Sequence, residues 1–146
     1  MSVAIKIKRV HAQADAPWYA TLGASCFDVR WFEEGIHSHT MKPGETRKFP
    51  LGIAMQPEPG FALEVRPRSG LSAQGILVHH GTIDSDYVGC ISATLTNLSM
   101  RPFTVERGDR IAQIAVVRVF RADFSLVVDL SDTDRGTNGF GSTGMK

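Results

Sequence analysis

Apolar and charged residues alternate over residues 3–10, VAIKIKRV, with the period of two that is typical of a half-buried β-strand. Similar short runs predict further strands at residues 27–32, 46–49, 52–56, 61–66, 90–97, 103–106 and 110–121. Clusters of Pro, Gly and Asp mark turns between them, at residues 42–45, 57–60 and 107–109. At most one short helix fits, near residues 69–73. The pattern therefore predicts an all-β protein, folded as a sandwich, jelly roll or barrel.

The composition changes at residue 131, where the chain becomes polar and rich in glycine. We therefore expect one β domain over residues 1–130 and a flexible C-terminal arm over residues 131–146. The arm carries a guanidinium, an aromatic ring and hydroxyl groups, which together could clasp a polyphosphate with a flat base. Taken alone, the arm fits a frayed terminus better. Its GxGxxG pattern at residues 139–144 is followed by no helix, so a dinucleotide-binding motif is excluded.

Charge and composition narrow the functional classes. A formal net charge of +1 argues against broad binding of a nucleic-acid backbone, so we expect no nucleic-acid partner. Two cysteines, Cys26 and Cys90, are too few for a disulfide framework. No apolar run is long enough to span a membrane, and the first ten residues do not resemble a signal peptide. We expect a cytoplasmic protein without a membrane partner, or one in the host cytoplasm if a virus or phage encodes it.

Two short segments carry candidate chemistry. GTIDSDYVG, residues 81–89, predicts a β-hairpin whose turn holds two carboxylates, one of which could serve as a general base. The alternative is an ordinary solvated turn, in which Asp and Ser are favoured for local backbone bonding. PRSGL, residues 67–71, follows a strand and could present backbone N–H groups, a guanidinium and a hydroxyl to a phosphate. Its alternative is a simple turn at the end of a strand.

Four of the five histidines form two pairs, at residues 37 and 39 and at residues 79 and 80. Zinc requires at least three protein ligands even at a catalytic site, and neither pair has a third ligand nearby in sequence. We therefore expect solvent-facing loop histidines rather than a metal centre.

Five segments in order resemble the motifs of the trimeric all-β dUTPase family, and the resemblance covers nearly the whole chain. PWYATLGASCFDVR, residues 17–30, is similar to the first motif, whose aspartate is matched by Asp28. The remaining motifs are matched by residues 67–71, 81–89, 108–113 and 135–144. The resemblance implies a distorted jelly roll, also called a β-clip, assembled as a homotrimer with active sites at subunit interfaces.

The resemblance also implies hydrolysis of dUTP to dUMP and pyrophosphate, which limits uracil incorporation into DNA and supplies dUMP for thymidylate synthesis. Asp84 would activate the water that attacks the α-phosphorus. Mg2+ would be held by the phosphates and by waters, one of them bound to Asp28. The phosphate chain would be held by Arg68, Ser69, Gly70 and Gln113.

The same resemblance assigns recognition of the nucleoside. Main-chain groups around Gly81, Thr82 and Ile83, together with the return strand near Ser92, would contact uracil, and Tyr87 would pack on the deoxyribose. Histidines, with His80 the nearer, stand where many members have a base-contacting asparagine. Phe140 in the arm would stack on the base. The phosphate-contacting residues of the arm would be Arg135, Gly141, Ser142 and Thr143.

Two alternatives are weighed against hydrolysis. The related dCTP deaminases would require a glutamate ten residues after the hairpin aspartate, where this chain has Thr94. A dUTPase-like binding or regulatory module of a virus or phage is the second alternative. Every residue assigned to catalysis is present, which favours the enzyme.

Overall fold

The computed structural model describes residues 2–139, which contain eleven β-strands and one short α-helix. In chain order the elements are β1 (Ile5–Arg9), β2 (Cys26–Arg30), β3 (Ser38–Met41), β4 (Thr46–Pro50), β5 (Ile53–Pro57), β6 (Phe61–Arg66), α1 (Ser69–Ser72), β7 (Ile76–Val78), β8 (Gly81–Ile83), β9 (Ser92–Asn97), β10 (Phe103–Glu106) and β11 (Arg110–Arg118). The all-β prediction is confirmed, and so is the single short helix. The eight predicted strands correspond to β1, β2, β4, β5, β6, β9, β10 and β11, whereas β3 and β7 were not predicted.

All strand pairs are antiparallel. The largest sheet has four strands in the order β2-β11-β6-β8, and a three-stranded sheet has the order β4-β9-β7. Two ribbons, β1-β5 and β10-β3, complete the described part of the fold. Because β11 lies between β2 and β6, residues far apart in sequence become neighbours across the four-stranded sheet.

The predicted hairpin over residues 81–89 is wrong in its pairing. The turn exists, since the Tyr87 N–H donates to the Asp84 carbonyl at 3.1 Å. However, β8 pairs with β6, while β9 pairs with β4 and β7 in the other sheet. The two strands that flank the turn therefore separate instead of closing on each other.

The core lies between the sheets and is built from alternating strand positions. Phe49 on β4 is fully buried and packs edge-on against Trp31, with ring centroids 5.2 Å apart. Asn97, at the end of β9, is also fully buried, and its amide donates to the carbonyls of Met41 and Arg101. A buried amide needs such partners because its desolvation is costly. Asn97 thus joins β9 to β3 at one end of the core.

Gly52 connects β4 to β5 in a conformation that favours glycine. Its φ is +68°, and a Cβ there would lie 2.7 Å from the Ala14 Cβ and 2.9 Å from a ring carbon of Phe32. Its carbonyl accepts from the N–H groups of Val10 and His11 at 2.9 and 3.2 Å. The absence of a side chain at residue 52 therefore lets the segment after β1 pack on this bend.

Two regions are more exposed to solvent than their apolar residues would predict. β1 was predicted to be half-buried, but Ile7 and the following Val10 are each 45% exposed. Residues 119–139 contain no helix or strand and are exposed throughout. The boundary at residue 130 between domain and arm stays a prediction. Among the described residues, no helix is long and apolar enough to cross a membrane.

The histidine expectation needs a correction at His39. This residue lies on β3, is half-buried, and its Nε2 is 2.6 Å from the Glu45 Oε1. The Lys42 backbone N–H also donates to Glu45, and that bond, with the one to His39, lowers the pKa of the Glu45 carboxyl. His37, His79 and His80 are exposed, as expected.

Candidate functional site

One end of the four-stranded sheet gathers a carboxylate and two guanidinium groups. Asp28 on β2 accepts from the Arg68 Nε at 2.9 Å and from the Arg110 Nη1 at 3.0 Å, with one oxygen for each. Arg68 also donates to the Arg110 carbonyl at 2.8 Å. The Asp28 side chain is 12% exposed and that of Arg68 25%. Two cations around one carboxylate leave a net positive charge, which is suited to an anion.

Gln113, Ser69 and Gly70 lie beside this cluster. Gln113 on β11 is level with Asp28 on one side and Arg66 on the other, and its Nε2 donates to the Pro67 carbonyl at 2.7 Å. Ser69 and Gly70 open α1, where the first N–H groups of a helix have no partner inside it. The structure therefore brings the four residues of the predicted phosphate site together with Asp28, which was predicted to hold a water of Mg2+. We call this group, Asp28, Arg68, Ser69, Gly70 and Gln113, the phosphate cradle.

A second predicted group surrounds a cavity of about 270 Å³ between β8 and β9. Gly81, Thr82 and Ile83 form one wall, and Ile91 and Ser92 the other. Because β8 pairs only with β6, its outer edge keeps unpaired backbone N–H and C=O groups. The cavity therefore offers main-chain donors and acceptors to a flat ligand. We call it the splayed-strand pocket.

Asp84 and Tyr87 stand at the open end of the splayed-strand pocket. Both side chains are exposed, and the Tyr87 hydroxyl donates to the Cys90 carbonyl at 3.1 Å. Asp84 also borders a larger cavity of about 560 Å³, together with Asp86 and Arg121. An exposed carboxylate between two cavities can contact a ligand in one and a water in the other.

Within one chain, Asp84 and the phosphate cradle lie far apart. Ile83 is level with Leu63, so Asp84 is level with Ala62, whereas Gln113 of the cradle is level with Arg66 at the other end of β6. The four residue steps from Ala62 to Arg66 span about 13 Å along β6. Three strand spacings separate Asp28 on β2 from β8, which is about 14 Å across the sheet. The two groups therefore lie at separate places on the sheet of a single copy.

His80 does not line the splayed-strand pocket. Its Nε2 instead lies 3.4 Å from the Glu64 Oε2, and the same oxygen accepts from Arg66 at 2.6 Å. The hydrogen bond from Arg66, with a smaller contribution from His80, lowers the pKa of the Glu64 carboxyl, and the carboxylate in turn raises the pKa of Arg66. The expected contact of His80 with a base stays a prediction, and this structure directs the ring elsewhere.

The arm residues fall partly outside the described chain. Arg135 is described, and its Nε donates to the Asn138 carbonyl at 2.9 Å. Phe140, Gly141, Ser142 and Thr143 lie outside the described residues. Their predicted contacts with a nucleotide stay predictions.

Two charged residues of the site were not predicted from the sequence. Arg110 belongs to the segment matched to the fourth motif, but its bond to Asp28 joins residues 82 positions apart and depends on the β2-β11 register. Lys48 on β4 lines the splayed-strand pocket from the strand beyond β9. No local pattern in the sequence marks either contact.

The donor set is compatible with magnesium that is bound mainly by phosphates and water. Among residues 2–139, no group of three His, Cys, Asp or Glu residues is arranged to hold a metal ion. Asp28 offers one carboxylate beside the cradle, which matches an ion that keeps several waters and takes few protein ligands.

The position required for deamination holds Thr94, which lies directly opposite Lys48. A hydroxyl cannot replace a carboxylate that must accept and return protons near neutral pH. The deaminase alternative is therefore not favoured.

The sequence matches the model of the dUTPase family over residues 12–144. A deoxyuridine 5'-triphosphate nucleotidohydrolase from Anaeromyxobacter sp. (strain Fw109-5) is 43% identical, and the alignment covers 99% of each chain. The protein of the same name from Helicobacter pylori (strain P12) is 42% identical over 97% of each chain. The similarity thus extends over the whole β domain and most of the arm.

Solved structures confirm the predicted distorted jelly roll. The dUTPase of Staphylococcus bacteriophage 80alpha with dUPNHPP has a TM-score of 0.87 at 20% identity, over 97% of this chain and 98% of that one. A mutant dUTPase from phage phi11 of S. aureus, solved to show how a structural Mg(II) ion is coordinated, has a TM-score of 0.79 at 15% identity. It covers 88% of this chain and 99% of the phage protein.

Proposed function

Because the chain belongs to the dUTPase family, we propose that it hydrolyses dUTP to dUMP and pyrophosphate. The observation that carries the proposal is the splayed-strand pocket, which is lined by β8, by the chain near Ser92 and by Asp84. The chain is 42–43% identical over nearly its full length to proteins named for this reaction. A dUTPase-like module without catalysis is not favoured, since the sequence contains every residue assigned to catalysis and its relatives are named for hydrolysis.

In this proposal uracil enters the splayed-strand pocket and bonds to the free edge of β8 and to the chain near Ser92. Fixed backbone groups select one pattern of donors and acceptors, because a mismatched base leaves buried groups unpaired. Tyr87 packs on the deoxyribose at the open end and leaves no space for a 2′-hydroxyl.

Asp84 is the proposed general base. It accepts a proton from a water whose oxygen attacks the α-phosphorus, and the bond from that phosphorus to the α,β-bridging oxygen breaks. The leaving pyrophosphate carries negative charge, which Arg68 of the phosphate cradle and the neighbouring Arg110 stabilise. Asp84 suits this role because it is exposed at the pocket mouth, within reach of a ligand and of solvent.

Magnesium is the proposed metal, with Asp28 holding one of its bound waters. When bound, the ion would neutralise charge on the triphosphate and fix its shape. Asp28 also orients Arg68 and Arg110, so its carboxylate organises the cradle with or without the ion.

We propose a homotrimer in which one active site combines the phosphate cradle of one copy with the splayed-strand pocket of another. The distance between Asp84 and the cradle within one chain supports this division. An assembly with rotational symmetry gives every copy the same shared site. The threefold order follows from the resemblance.

Exposed apolar residues after β11 support an assembly. Phe124, Leu126 and Val128 are each at least 95% exposed in the single chain. The same chain carries an apolar groove of about 620 Å³ lined by Ile5, Trp18 and others. Large apolar surfaces of this kind mark protein interfaces. We propose that residues 119–130 of one copy cover apolar surface on a neighbouring copy.

The arm, residues 131–146, is proposed to close over a bound nucleotide. Arg135, Ser142 and Thr143 would contact the outer phosphates, and Phe140 would stack on the base. Closure of such a segment excludes water and completes the site, while binding energy offsets the ordering of its glycines.

The proposal is tested with dUTP, dCTP, dTTP and UTP in the presence of Mg2+, with pyrophosphate and nucleoside monophosphates measured. We expect efficient release of pyrophosphate from dUTP alone. Asp84→Asn keeps the size of the side chain but removes the base, so kcat falls by at least about 100-fold. Binding of dUMP, measured by calorimetry, stays near that of the wild type.

Asp86→Asn is the matched control, since it removes a carboxylate from the same turn and should leave most of the activity. Comparable turnover of dCTP or dTTP would refute the proposed selectivity. Full turnover by Asp84→Asn would show that another group activates the water.

A further inference from the structure

Lys48 gives the splayed-strand pocket a cationic side chain that the main-chain account of base recognition does not use. Of the side chains lining this pocket, Lys48 and Asp84 are the two that carry charge. Lys48 forms no salt bridge with any residue in the described part of the chain. Its three N–H donors are therefore available to a ligand in the pocket.

The register places Lys48 at the end of the pocket where its two walls begin to diverge. Lys48 lies directly opposite Thr94, and Pro50 opposite Ser92, so the Lys48 and Ser92 side chains share one face of the β4-β9 pair. The two pocket walls meet at this level, where the His79 N–H donates to the Thr94 carbonyl at 2.9 Å. Asp84 and Tyr87 stand at the opposite, open end.

A nucleotide with its phosphates at the open end therefore directs its base toward Lys48. Uracil has a carbonyl oxygen at C4, where cytosine has an amine. An ammonium group only donates hydrogen bonds, so it attracts the carbonyl and opposes the amine, which also donates.

We infer that Lys48 is a specificity-determining residue, whose ammonium group bonds to the exocyclic carbonyl of uracil and disfavours cytosine. The inference rests on the proposed function, because it takes the pocket to be the site of the base. It adds a charged side-chain contact to the recognition that the β8 backbone provides. Lys48 thus lies directly opposite Thr94, the position where a deaminase would keep its carboxylate.

The test compares Lys48→Met with wild type, since Met keeps an unbranched side chain of similar length and removes the charge. A hydrogen bond to a charged donor is lost, so kcat/KM for dUTP should fall about 10- to 100-fold. The kcat/KM for dCTP should stay constant or rise, so the ratio of kcat/KM for dUTP to that for dCTP falls. Lys48→Arg keeps a cationic donor and should retain most of the discrimination. Lys42→Met, on an exposed turn away from the pocket, should change neither value.

Equilibrium binding of dUMP and dCMP separates this inference from the proposed function. If the wild type binds dUMP but does not hydrolyse dUTP, the proposed function fails while the binding comparison still tests Lys48. The inference would be overturned if Lys48→Met lost equal affinity for dUMP and dCMP, or lost affinity for neither. Thermal melting of each variant checks that the fold is kept, which we expect because Lys48 is exposed.

Discussion

The position of the Tyr87 ring depends on the absence of a side chain at Gly89. A Cβ on Gly89 would lie 2.6 Å from the Cζ of Tyr87 and 3.0 Å from its Cε2. These separations are too short for carbon atoms, so the ring and residue 89 can coexist in this arrangement only when residue 89 is glycine. The glycine thus fixes the surface on which we propose that the deoxyribose packs.

Gly89→Ala should therefore relax selection of the sugar. Tyr87 is 47% exposed, so its ring can move outward at little cost in stability. We expect the kcat/KM ratio of dUTP to UTP to fall about tenfold, as binding differences of 1–2 kcal/mol produce. Steady-state kinetics with both nucleotides measure the ratio. Gly23→Ala, which has open space around its Cβ position and no assigned role in the site, serves as the control for the loss of a glycine. An unchanged ratio in Gly89→Ala would remove Tyr87 from sugar selection.

At the scale of elements, the separation of β8 from β9 creates the pocket, and the bend between β4 and β5 helps to hold β9 in place. The Leu51 N–H donates to the Ile91 carbonyl, and the Ile91 N–H donates to the Ile53 carbonyl, both at 2.9 Å. Gly52 lies between Leu51 and Ile53. The geometry of this bend therefore also positions the strand that forms one wall of the pocket.

Gly52→Ala tests this bend. The new methyl group would overlap Ala14 and Phe32 and would also occupy a left-handed conformation, so we expect a loss of roughly 2–5 kcal/mol in the free energy of unfolding. Gly60→Ala has a similar φ of +90° but open space, and should lose only about 1–2 kcal/mol. Urea denaturation measures both variants. Equal losses would mean that close packing against Ala14 and Phe32 does not constrain the bend.

The sequence allowed prediction of local elements but not of contacts that depend on register. Alternation and turn residues located most strands, because these signals lie within a few neighbouring residues. The bond between Arg110 and Asp28 spans 82 positions and exists only because β11 lies beside β2. Lys48 reaches the pocket for a similar reason, through its pairing with β9. The splayed strands were mistaken for a closed hairpin because a turn sequence does not specify how its strands pair.

At the scale of the whole molecule, one chain places the proposed base and the phosphate cradle at separate positions on its largest sheet. Asp84 and the phosphate cradle lie at opposite ends of β6, separated by about 13 Å along the strands and about 14 Å across them. Residues 119–130 add exposed Phe, Leu and Val side chains that need a covering surface. Both features are explained if neighbouring copies complete each other's sites.

Mixing two inactive variants tests this shared site most directly. Asp84→Asn lacks the base, and Arg68→Gln lacks a guanidinium of the cradle, so each alone should be at least about 100-fold less active than wild type. Equimolar chains, unfolded and refolded together, should form sites with an intact cradle from one copy and an intact Asp84 from another. Random assembly into a symmetric oligomer should restore about a quarter of wild-type dUTP hydrolysis.

The control is a second mixture, in which the double variant Asp84→Asn/Arg68→Gln is refolded with the single variant Asp84→Asn. No site in that mixture has an intact Asp84. The measurement is pyrophosphate release from dUTP at equal total chain concentration. We predict that the mixture of single variants recovers about a quarter of the wild-type rate and that the control mixture does not. Activity in that mixture no higher than in either variant alone would contradict a site shared between copies.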